Sequence, residues 1–228
     1  LCYAACIARG ITKLSCIKQK FYEWVGVKYD DFILLDSPNL LEKTNEVVNP
    51  SKYFLYADCF MSKFQNLENY EYCDKYASIA RKLKYASNRA GEYSDIFNTL
   101  SKLAAVLSIK VNICTRTREA YAQNDSSKLN IVIADYKKMI KLTEEFYKAF
   151  RNQWYILNKP HGFDIQDIRI GGLITRMKSC LNRLCDYRDG KIDNIPELEE
   201  QFLPFTDRII NHNDWKNTVT ANMFDFMF

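Results

Sequence analysis

The sequence predicts an all-α protein, an antiparallel helical bundle with two long central helices. Three observations predict it. Its 228 residues include only 7 Gly and 5 Pro, so long elements with few turns are expected. Apolar residues recur at spacings of three and four over long stretches, which places them on one face of a helix. The strand–helix alternation that a barrel or doubly wound sheet requires is absent. Apolar residues make up 47% and charged residues 26%, a balance that suits a packed core and argues against disorder.

The elements follow in order. Residues 1–9 and 14–24 read as two short helices broken at Gly10, the second carrying Leu14, Ile17, Phe21 and Trp24 on one face. Asp30, Asp31, Ser37, Pro38 and Asn39 frame a short apolar run that suits a helical turn or an extended connector. Asn49-Pro50-Ser51 predicts a helix start with Asn49 as N-cap and Pro50 at the first position, and the helix is expected to run to Phe64. After a polar break at 66–69, Tyr72, Tyr76, Ile79 and Leu83 form the next stripe. From Tyr93 to Gln123 there is no Gly or Pro, and Phe97, Leu100, Ala104, Leu107, Val111 and Cys114 keep the helical period, predicting one helix of about thirty residues. Asn124-Asp125-Ser126 starts another, which runs to Leu157 with Glu144 and Glu145 on its solvated side. Asp164 is the expected N-cap of a helix over 165–187 whose stripe is Ile165, Ile168, Leu173, Met177, Cys180 and Leu184, ended by Asp189-Gly190. A short helix begins at Ile195-Pro196. The tail after Trp215 is left unassigned.

The residue inventory excludes several kinds of chemistry. Eight Cys occur without a C-x-x-C pair, and the two His, His161 and His212, lie far from any Cys group, so no metal site is expected. The Cys sit among Ile, Leu and Ala in helical patterns, where reduced thiols act as small hydrophobes. That predicts reduced, mostly buried cysteines and a cytoplasmic location. A net charge of +4, with Lys and Arg interleaved among Asp and Glu, provides no basic track for nucleic acid. No run of about 18 apolar residues suggests a membrane span. A Ser or Cys nucleophile would need a nearby base, and the two His lie in connectors. No Asp-Glu pair and no strand-preceded glycine loop are present, so no cofactor is expected. Asp30-Asp31 reads as a capping and turn element.

Two features stand out. Gly171-Gly172 lies inside a helical pattern, where two glycines cost on the order of 1.5–2 kcal/mol relative to Ala. Close approach of another helix or chain, or more rarely of a ligand, would compensate. Just upstream, Trp154, Asn158, Lys159, Asp164, Asp167 and Arg169 crowd a tight connector. Such a turn is either structural, with Asp164 capping and Arg169 paired to an acid, or it presents Trp, Asn, Lys and Arg at a surface that binds sugars or anchors an interface.

The stretch Asn158-Lys159-Pro160-His161-Gly162-Phe163-Asp164-Ile165-Gln166-Asp167-Ile168-Arg169-Ile170-Gly171-Gly172-Leu173, with Trp154 before it, resembles a signature in the C-terminal helical domain of bacterial family 20 glycoside hydrolases, the exo-acting β-N-acetylhexosaminidases. The likeness extends through Arg176, Leu184, Tyr187 and Gly190 to Glu197-Leu198-Glu199-Glu200, and upstream to 29–39 and 49–58. Leu157 stands where the family carries Glu, and Cys59-Phe60-Met61-Ser62 where it favours a Pro-Leu-Leu-Gly-type stretch.

The resemblance implies that residues 1–40 follow a catalytic barrel and that residues 41–228 form the helical domain. It also implies that the chain begins at a cut inside a larger protein. The family's catalytic Asp-Glu pair lies on that barrel, so no catalytic residue is expected here. The implied partners are the barrel of the same parent chain and a second copy in a homodimer. Trp154, Asn158, Lys159, Asp164, Asp167, Arg169, Gly171 and Gly172 are the candidate interface or substrate-wall residues. The alternative is an independent helical interaction or scaffold protein in which the motif is purely structural.

Overall fold

The computed structural model describes residues 1–41, 49–62 and 70–201. The expected break at 66–69, His212 and the tail after Trp215 lie outside the described residues. The described residues are all helical and turn, with no strand among them. The elements are α1 (Cys2–Ala8), α2 (Leu14–Val25), α3 (Tyr29–Phe32), α4 (Pro50–Tyr56), α5 (Glu71–Ser87), α6 (Ser94–Lys110), α7 (Ile113–Ala122), α8 (Ser126–Leu157), α9 (Phe163–Arg188) and α10 (Pro196–Glu199). A 3-10 segment, Ile33–Asn39, follows α3, and another, Gly91–Tyr93, precedes α6.

Side-chain pairs fix the register of an antiparallel bundle. Between α5 and α6, Ser101 donates to Ala80 O, and Ser87 to Ser94 O. Lys102 reaches Glu145 at 2.6 Å and Arg116 pairs with Asp135, so α6 and α7 run opposite to α8. Lys178 meets Glu144 at 2.8 Å, and Tyr147 donates to Asp167, which sets α9 against α8. The core inside these helices holds Tyr136, Met139, Leu107, Met177 and Leu184, all fully buried. A second, smaller cluster joins Val27 to Leu83, Ala86 and Phe97.

The long helix expected from Ser126 to Leu157 is α8, 32 residues or about 48 Å. Asp125 caps it by accepting from the N–H groups of Ser127 and Lys128. Several expectations are corrected. The stretch from Tyr93 to Gln123 is not one helix: it breaks at Val111-Asn112, and α9 is the second-longest element. Asn is a poor helix former, and Asn112 leaves helical geometry (φ −131°) just after the buried Lys110, whose ammonium donates to Ala57 O. By length and composition, Gly91–Ala122 is nevertheless apolar enough to cross a membrane, and 61% of its most apolar window is buried inside the fold.

Helix α4 stops at Tyr56 instead of Phe64. Asp58 accepts from the N–H of Phe60 and Met61, an Asx turn that competes with helix continuation. Asn49 sits in the left-handed region and makes no side-chain cap, although Pro50 does occupy the first turn. Asp164 is not the N-cap of α9; Gly162 holds that place at φ +93°. Ile165 and Ile168 are not core residues but stand 50% and 56% exposed, because Ile170 takes the inward position and rotates the buried face. Glu144 and Glu145 are half-buried ion-pair partners of the neighbouring helices. All eight cysteines are free, but only Cys6, Cys59, Cys114 and Cys180 are buried.

Candidate functional site

The signature connector forms the tip of the α8–α9 hairpin. Its geometry rests on Gly162 and Trp154. The indole Nε1 of Trp154 donates to Lys159 O at 2.9 Å, pinning the turn to the end of α8. The Trp154 ring packs on Phe150 and Phe163 with centroids 6.0 and 5.6 Å away. A Cβ on Gly162 would touch the same indole at 3.6 Å. The left-handed backbone there, at φ +93°, is one that glycine adopts freely and other residues rarely.

The remaining candidates divide by what they touch. Asp164 Oδ1 accepts from Gly162 N–H, and Asp167 accepts from the Tyr147 hydroxyl at 2.7 Å; both hold the hairpin together. Asn158 and Lys159 face solvent at the tip. Arg169 turns the other way, its guanidinium 4.6 Å over the ring of Tyr56 on α4. The structure thus brings Trp154, Lys159, Asp164 and Asp167 together around Gly162 and Phe163, and places Arg169 against α4.

The glycine pair is open. A Cβ added to Gly171 or Gly172 would meet nothing within 4 Å, and Gly172 is exposed. The close approach of a second helix of this same domain, one reading of the pair, is not there. Gly172 continues the exposed row of Ile165 and Ile168 on α9, at i, i+3 and i+7. Tyr155, Ile156 and Leu157, at the end of α8, are exposed as well, at 45%, 61% and 56%. The hairpin tip therefore displays apolar side chains, with a notch of bare backbone beside them.

Residues that sequence reasoning missed lie around Asp58. Arg176 holds its carboxylate with two hydrogen bonds, 2.7 and 3.1 Å long. Burial by itself would raise the Asp58 pKa; the hydrogen bonds and charge of Arg176, with the N–H groups of Phe60 and Met61, outweigh it and hold the carboxyl below its usual value. A separation of 118 residues hides this pair from any local pattern. Burial pushes the thiol of Cys180 far up, so it stays protonated and unreactive. Among the described residues, no three of His, Cys, Asp and Glu group as metal ligands.

No curated protein matches the chain. A family model described as the Glycoside Hydrolase 20C C-terminal domain matches residues 30–216, a span that contains the hairpin, its glycine pair and the Asp58–Arg176 clamp. With most of its length matched and an all-helical fold around the signature, the chain belongs to the family of glycoside hydrolase 20C C-terminal domains.

Proposed function

We propose that the chain is the non-catalytic helical domain of a cytoplasmic β-N-acetylhexosaminidase that removes terminal N-acetylhexosamine residues. It supports the catalytic barrel and a homodimer through the tip of the α8–α9 hairpin. One observation carries this reading. Gly171 and Gly172 forgo helix propensity at positions where Ala would fit, beside a row of exposed apolar side chains. That arrangement gains nothing within the domain and suits the backbone of a docked neighbour. Trp154 and Gly162 hold the tip rigid, so Asn158 and Lys159 stand ready as hydrogen-bond donors at the rim of the contact.

The test compares Gly172→Leu in the parent enzyme and in this chain. The parent is expected to lose dimer in sedimentation, or hydrolysis of an aryl N-acetylglucosaminide, while the chain keeps its melting temperature. A parent variant with unchanged sedimentation and turnover would reject the reading. The pure chain is expected to show no turnover of the same substrate above a heat-killed control.

A further inference from the structure

A cavity of about 400 Å³, open to solvent, lies where α4, α6, α8 and α9 meet. Its floor is apolar: Leu55, Leu100, Leu103, Phe146, Phe150 and Ile170 line it. The rings of Phe146 and Phe150 are parallel, with centroids 5.8 Å apart, and form a flat aromatic wall. Lys52 and Arg169 border the same space but are engaged within the chain, Arg169 with its guanidinium 4.6 Å over the Tyr56 ring. The polar groups left over are neutral. Thr99 is only 5% exposed, and among the described residues nothing pairs with its hydroxyl or with the buried Gln153 Oε1. Both residues line the cavity, Thr99 from α6 and Gln153 from α8. Buried polar atoms are ordinarily paired, because leaving one unpaired costs its desolvation. A hydroxyl and a carbonyl acceptor beside an apolar floor and an aromatic wall, in one concavity, have the usual form of a small-molecule site.

We propose that this cavity binds a small neutral secondary amide that carries a flat apolar substituent. The substituent lies on Leu100, Leu103, Phe146 and Phe150. The amide N–H donates to Gln153 Oε1, and the Thr99 hydroxyl donates to the amide carbonyl. An amide suits the pair because it offers one donor and one acceptor side by side, which is what a carbonyl oxygen and a hydroxyl require. A neutral ligand also leaves no charge to bury against the apolar floor. Both protein atoms are shielded from water in the free chain, so the ligand reaches them by side-chain rotation of the kind that commonly accompanies binding.

The probe is N-benzylacetamide, titrated into the 228-residue chain and followed by methyl NMR of the cavity residues. Saturable one-to-one binding with a Kd on the order of 1 mM is expected for so small a ligand, with shifts confined to methyls such as those of Leu103 and Ile170. Benzyl acetate has the same shape but lacks the N–H, and should bind about tenfold more weakly. Gln153→Met removes the acceptor at similar volume, so it should bind amide and ester alike. Thr99→Val, nearly isosteric, should raise the melting temperature of the free chain, because it removes an unpaired buried hydroxyl, and should weaken binding of the amide several-fold. Leu103→Trp, which fills the cavity, should abolish binding of both. Circular dichroism and melting identify any variant that fails to fold, and the comparison of amide with ester on the wild-type chain needs no variant. Amide and ester binding equally to wild type, no saturation below about 10 mM, or a preference for the amide that survives Gln153→Met would overturn the proposal. A capped peptide, acetyl-Ala-Phe-Ala-amide, that binds more than tenfold tighter than the probe would overturn it in favour of a protein partner.

Discussion

Gly172→Ala separates the cost of the glycine pair from its use. Gly172 lies well inside α9, nine residues from its first position, in helical backbone, and a Cβ there meets no atom within 4 Å. Ala therefore brings its full propensity advantage of about 0.8–1 kcal/mol with no steric charge against it. Part of the gain comes from the unfolded chain, where Ala has fewer conformations to lose than Gly. For a chain of this size, a gain of about 1 kcal/mol raises the melting temperature by about 2–4 °C. The assay is thermal unfolding of wild type and variant at matched concentration, followed by circular dichroism at 222 nm. Gly171→Ala, also open, should behave alike, and the double variant should add. A fall in melting temperature in either single variant would refute the reasoning, since it would mean that the glycine is already packed against something within the chain. The stabilised variant then becomes the sharper reagent for the parent enzyme, because any loss of dimer or turnover there cannot be laid to a weakened domain.

Three further outcomes follow from the same geometry. Gly162→Ala should lower stability by roughly 1–2 kcal/mol, a cost of forcing a side chain into the left-handed region, because the added Cβ itself meets Trp154 at an ordinary 3.6 Å; an unchanged denaturant midpoint would contradict this. Asp58 has a lowered folded pKa, so its contribution is present above its unfolded value near 3.8 and is lost as pH falls through the lower folded value. Asp58→Asn should accordingly cost roughly 1.5–3 kcal/mol at neutral pH and flatten the acid limb of the stability curve below pH 4; an acid limb as steep as wild type would sink it. Thiol titration of the denatured, unreduced chain should return eight thiols, as the free state of all eight cysteines requires, and four or fewer would count against it.

The sequence by itself determined the helical class, the span of α8 and the place of the signature connector. These depend on local physics: a 3.6-residue period, an Asp125 cap and the scarcity of Gly and Pro. The family was legible as well, because the signature is contiguous. What only the tertiary structure decided depended on partners distant in the chain. A stretch that looks like one helix in sequence breaks where Asn112 leaves helical geometry at φ −131°, and the buried Lys110 just before it donates to Ala57 O, 53 residues away in the chain. Ile165 and Ile168 fit the apolar period of α9 equally well inside or outside, and Ile170, Leu173 and Met177 settled which face turned to the core. Arg169 belonged to the connector in sequence, yet its guanidinium serves the wall of a cavity with Lys52 and Tyr56, more than 110 residues upstream. A helical period reports that one face is buried; it cannot say against what, because burial is a property of the assembled surface and not of the segment.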